Sequence, residues 1–144
     1  MSTEGIFDIF TVPALFQKLQ HDCQRVISDP SDRWSAIDFV LTADSLRHWA
    51  VTDSSGRIRG NGLEVQICRE LANRAKHWRT WSQQVRESVS IGSAFQWNAF
   101  SPGFQRGSLV VILDGDSAKR FGPEISIEDL ATKTMEFWRG ELDL

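Results

Sequence analysis

Between Ala36 and Ala50 the apolar side chains return every three or four residues: Ala36, Phe39, Val40, Ala43, Leu46 and Ala50. That is the period of an α-helix, and a helix with one such stripe is stable only when the stripe is packed against another element. Phe16, Leu19, Cys23, Val26 and Ile27 keep the same period, as do Cys68, Leu71, Ala75 and Trp78. A last segment, with Ile127, Leu130, Ala131, Thr134, Phe137, Trp138 and Leu142, does so over the longest run. Four amphipathic helices within 144 residues can satisfy one another only as a bundle-like core.

The boundaries follow from local chemistry. Pro13 suits an opening turn, where no amide donor is needed, so the first helix starts near Val12-Pro13, and Ser28-Asp29-Pro30-Ser31 stops it. The second helix runs from about Asp32 to Thr52, with Ile37, Leu41 and Trp49 widening its apolar face toward two neighbours. Gly, Ser and Asn between Asp53 and Gly62 predict a loop. The third helix spans about Leu63 to Trp81. Ser126 and Asp129 stand at capping-box spacing, with Ile125 and Leu130 placed as a hydrophobic staple, so the fourth begins there.

Between the third and fourth helices the period changes to two. Val89, Ile91, Phe95 and Trp97 alternate with small or polar residues, and Leu109 to Leu113 is a continuous apolar run, a pattern of strands. Asp114-Gly115-Asp116-Ser117 reads as a turn, and Lys119 to Phe121 as a short third strand. The predicted class is α+β, mainly α: a four-helix bundle-like core with a β-hairpin of two or three antiparallel strands between helices 3 and 4. Residues 1–144 are expected to form a single domain.

The longest apolar run falls short of the roughly 18–20 residues of a membrane span, and Met1-Ser2-Thr3-Glu4-Gly5 does not resemble a signal peptide. A cytoplasmic protein with no membrane contact is expected. Cys23 and Cys68 fall on apolar stripes and read as buried free thiols. The net charge of −3 is uneven: Arg57 to Arg86 holds seven basic residues against Glu64 and Glu70, leaving the remainder eight negative. Such asymmetry admits a nucleic-acid or acidic-partner surface on one element of an acidic protein.

No phosphate-binding glycine loop, GxSxG, HExxH or paired CxxC is present. Gln66, Glu70, Asn73 and His77 form a polar row on the third helix, and Arg69, Asn73 and Lys76 are helix-surface neighbours. Histidine moves protons near neutral pH, and an adjacent Lys or Arg holds phosphate. His77 and Asn73 are therefore the candidate catalytic residues, with Arg69, Lys76 and Arg74 as contacts to phosphate or to an acidic partner. A solvated basic helix face is the alternative reading. Asp44 and His48, four residues apart, read as a surface pair, and Asp114 and Asp116 as turn residues rather than metal ligands. No metal or cofactor is expected. Trp81, Trp97 and Phe95 offer a stacking platform for bases or an interface anchor, with core packing as the alternative.

The run Ala36-Ile-Asp-Phe-Val-Leu-Thr-Ala-Asp-Ser-Leu-Arg-His-Trp49, the run Ile67-Cys-Arg-Glu-Leu-Ala-Asn-Arg-Ala-Lys-His77 and the ending Thr134-Met-Glu-Phe-Trp138 resemble a group of small uncharacterised bacterial and phage-borne proteins. More distantly the chain is similar to the HEPN superfamily, helical bundles that often act as RNases in toxin–antitoxin and phage-defence systems. Those enzymes carry an Arg followed, after about four to six residues, by a His at a dimer interface. Here seven residues separate Arg69 from His77 and two separate Arg74 from it, so only Asn73 to His77 resembles the motif. The resemblance implies a homodimer that juxtaposes two third helices around RNA, cleaved through its 2′-hydroxyl without metal. The competing expectation is a non-catalytic module that binds a protein partner.

Overall fold

The computed structural model describes residues 9, 11–76, 91–97 and 109–144, the segment 91–97 by its backbone. In chain order the elements are α1 (Val12–Ser28), α2 (Arg33–Asp53), α3 (Leu63–Lys76), β1 (Ile91–Trp97), β2 (Leu109–Leu113), α4 (Gly115–Phe121), β3 (Glu124–Ser126) and α5 (Ile127–Leu142). The mainly helical α+β class and the hairpin after the third helix agree with the sequence reading.

Capping sets the helix starts. The Thr11 hydroxyl accepts from the Ala14 amide at 3.2 Å, and Ser126 accepts from the Asp129 amide at 3.1 Å. Asp32 accepts from the Trp34 amide and from the Ser35 hydroxyl, at 3.1 and 2.7 Å, which gives one free amide of the first turn of α2 an acceptor. These bonds, led by the one from Ser35, hold the Asp32 carboxyl below its ordinary pKa.

α2 lies between α1 and α3, and α5 closes the layer against α1 and α3. Their shared core contains Phe16, Leu19, Phe39, Leu46, Ile67, Leu71, Leu130 and Trp138. A three-stranded antiparallel sheet, in the order β1-β2-β3, joins this core through β2, where Leu109, Val111 and Leu113 are buried. Val111 pairs with Phe95 on one side and with Ile125 on the other. The pairing of β1 with β2 is irregular between Ile91 and Phe95.

Two local readings are corrected. Residues 119–121 are helical, not extended: they belong to α4, whose first hydrogen bond runs from the Ala118 amide to the Asp114 carbonyl, and the third strand is Glu124–Ser126. The Asp114-Gly115 step, read as a turn, instead opens a helix, because Gly115 at φ +56° redirects the chain and Ala118, Lys119 and Arg120 suit helix. The predicted strand start at Val89 and helix end at Trp81 lie outside the described residues.

Candidate functional site

The third helix supplied the sequence candidates, and the fold gives them different surroundings. Arg69 is exposed and Asn73 half-buried, and both lie on the outer side of α3. Arg74 instead turns inward and is only 8% exposed. Burial lowers its pKa from the ordinary value, while Glu70 and Asp114 counteract by attracting the cation. It is therefore a wedge between α3 and the start of α4, a correction to its reading as a surface contact.

Lys76 is bound within the molecule. Its Nζ lies 3.2 Å from Asp44 Oδ2, tying α3 to α2. Asp44 also pairs with Arg47 at 3.0 Å and is 7% exposed, whereas His48 is exposed. The expected Asp44–His48 surface pair is thus replaced by an Arg47–Asp44–Lys76 bridge, because Asp44 lies on the side of α2 that meets α3. His77, Trp78 and Trp81 lie outside the described residues, as do the side chains of Phe95 and Trp97. Arg69, Asn73 and Lys76 remain as the outward-facing members of the candidate set, Lys76 with its ammonium paired to Asp44.

The thiols are interior, as expected. Cys68 lies 3.5 Å from the Thr134 hydroxyl, and burial pushes its pKa up to about 12. Burial also raises Cys23, against the attraction of Arg139. Neither thiol has the electropositive, accessible setting of a nucleophile. Among the described residues, no three His, Cys, Asp or Glu side chains group as metal ligands.

No family model, curated protein or solved structure matches this chain. Function must therefore be argued from its own surfaces.

One such surface was not singled out in the sequence. Core residues Ala36, Phe39, Val40, Ala43, Leu46 and Ala50 occupy one side of α2. At 3.6 residues per turn, Trp34, Ile37, Leu41, Ser45 and His48 fall on the opposite side. Trp34 is 63% exposed, and Ile37 and Leu41 are half-buried and, among the described residues, are not part of the core cluster. Ile37 and Leu41 were expected to widen the buried face. Instead α2 meets its neighbours through Asp22, Thr42, Asp44 and the core stripe, which leaves these two outside. Trp49, the third residue of that expectation, does pack on the core.

The polar seam that orients this face runs between α1 and α2. Asp22 is 1% exposed and accepts from the Thr42 hydroxyl at 2.6 Å and from Lys18 Nζ at 2.7 Å. Lys18 also donates to Thr42 at 3.0 Å. Arg25 bonds Asp38 at 2.9 Å, and this bond, more than any other contact, raises the pKa of the guanidinium. The two helices are thereby locked in register, with Trp34 outward.

Proposed function

We propose that this protein is a non-catalytic interaction module that binds a protein partner through the outer face of α2. The observation that carries this is the stripe of Trp34, Ile37 and Leu41, an aromatic and two aliphatic side chains on the side away from the core. Interface anchors are drawn from such residues, a large aromatic with apolar neighbours on a rigid element; here the Arg33 guanidinium lies 5.2 Å from the Trp34 ring and Asp38 stands one turn along. Ser45 and His48 extend the face without adding a carboxylate or a permanent cation. A groove or helix from the partner would gain by covering Trp34, which is 63% exposed and leaves apolar area in water beside the Arg33 guanidinium. Affinity capture from host lysate tests this with Leu41→Lys beside Arg69→Glu. The retained partner is lost in Leu41→Lys and kept in Arg69→Glu; loss in neither variant rejects the reading.

A second reading, a HEPN-like RNA-directed domain of the toxin or phage-defence type acting as a homodimer, is supported by Arg69. That guanidinium is exposed and has no ion-pair partner among the described residues, with Asn73 one turn away. Phosphate contacts need such unpaired cations. Against it weigh Arg74, which is buried, and Lys76, which is exposed but already paired with Asp44. Incubation with total RNA, without added metal, beside His77→Ala and Asn73→Ala variants tests it. Cleavage by the parent that is lost in His77→Ala supports a nuclease, and intact RNA throughout rejects one.

A further inference from the structure

The outer face of α2 is bordered by charge in a one-sided way. Between Trp34 and His48 the helix carries two carboxylates, Asp38 and Asp44. At 3.6 residues per turn they fall on opposite flanks of the stripe of Trp34, Ile37 and Leu41, Asp38 toward α1 and Asp44 toward α3. Each flank is a seam of ion pairs. On the α1 side Lys18 and Arg25 meet Asp22 and Asp38, and on the α3 side Lys76 and Arg47 meet Asp44.

Within these seams the carboxylates lie mostly inside and the cations outside. The side chains of Asp22 and Asp44 are 2% and 9% exposed, whereas those of Lys18, Arg25 and Lys76 are 42%, 41% and 44% exposed. A pair arranged in this way presents its positive end to an approaching partner. Asp38 is the exception; it is open to solvent, and Arg25 holds it at 2.9 Å. At the N-terminal end Arg33 lies over the Trp34 ring and, among the described residues, has no carboxylate within 4 Å. Asp32 beside it turns its oxygens onto the Trp34 amide and the Ser35 hydroxyl. Along the two seams and Arg33, five cations thus stand against three carboxylates, in a chain whose net charge is −3.

We infer, on the reading of this face as the docking surface, that its partner is an acidic amphipathic helix. The apolar side of that helix lies along Trp34, Ile37 and Leu41, and its flanking Asp or Glu side chains reach Arg33, Lys18 and Lys76. The three anchors recur after three and four residues, the ridge into which a second helix interdigitates. A basic helix would set its cations against exposed ammonium and guanidinium groups. RNA fits less well, because the centre of the face is apolar and the seam cations are already paired, whereas phosphate contacts draw on free ones. An anionic membrane fits less well too, because Ile37 and Leu41 are half-buried and leave Trp34 alone to insert.

Fluorescence anisotropy of labelled model peptides, titrated with the full chain, tests this. Two helices of about 18 residues carry leucines at i, i+3, i+4 and i+7, one flanked by glutamates and the other by lysines. The glutamate helix binds about tenfold or more tightly than the lysine helix and weakens as salt rises. Leu41→Lys abolishes its binding. Arg33 is exposed at the first position of α2, where a carboxylate suits the helix dipole, so Arg33→Glu keeps the fold. That variant weakens the glutamate helix by about threefold or more. Equal binding of the two peptides, or preference for the lysine helix, overturns the acidic partner while the face itself stands. Absence of binding by either peptide at millimolar concentration overturns it as well, and capture from lysate with Leu41→Lys then decides the face separately. So does binding unchanged in Leu41→Lys, or tighter binding of polyuridylate or of phosphatidylserine vesicles than of the glutamate helix.

Discussion

Replacing Asp22 by alanine removes the acceptor on which the α1–α2 seam converges. The Thr42 hydroxyl, in a residue 6% exposed, loses the carboxylate 2.6 Å away and is left as a buried donor. That alone costs about 1–3 kcal/mol. Lys18 behaves differently. Its side chain is 42% exposed, so water replaces much of what the carboxylate supplied, and its share is at most about 1 kcal/mol. Arg25 lies 3.9 Å from Asp22 and keeps its closer partner Asp38, so it adds little. The sum is about 1–4 kcal/mol, against about 1–2 for Thr42→Val, which leaves the carboxylate its lysine. Because both substitutions break the same bond, the double variant loses less than the two singles together, by about 1 kcal/mol or more. Urea unfolding at neutral pH reads all four corners of this cycle. Additive losses, or a loss below about 0.5 kcal/mol in Asp22→Ala, refute a buried seam and make Asp22 an ordinary surface carboxylate.

Other expectations follow from single sites. Gly62→Ala places a methyl group 2.7 and 2.9 Å from ring carbons of Phe137 and against the Glu64 carboxylate, costing about 1–3 kcal/mol by urea unfolding. Gly56→Ala, at φ +84° in open space, costs only about 1–2 kcal/mol, the backbone price alone. The Cys68 thiol titrates near 9 when unfolded and about 12 when folded, so its contribution is intact below pH 9 and lost as pH rises toward 12. Cys68→Ala therefore flattens the alkaline fall in melting temperature, and an unchanged slope contradicts the burial. Ser126→Ala removes the cap of α5 and costs about 1 kcal/mol in the same unfolding assay.

Much of the fold was legible because apolar period and caps are local signals. Thr11, Asp32 and Ser126 sit where their side chains meet free amides, and the helices start there. The failures were of a different kind. Lys119 to Phe121 resemble a strand in isolation, yet Asp114 and Gly115 start a helix that carries them, so context beyond three residues decided the state. Ile37 and Leu41 follow helical spacing as well as any core residue does. Their outward direction depends on which side of α2 meets α1 and α3, and the buried Asp22, Thr42 and Asp44 settle that. Charge counting suggested a basic face on α3, but it cannot tell Arg69 in solvent from Arg74 in the interior.

The outer face of α2 is tested most directly by a photoreactive amino acid placed at Leu41 or at Arg69 and irradiated in living host cells. We expect a discrete protein adduct from position 41 that position 69 does not form. Nucleic-acid adducts from position 69, with none of any kind from position 41, would contradict the interaction module and return α3 to the centre of the protein's function.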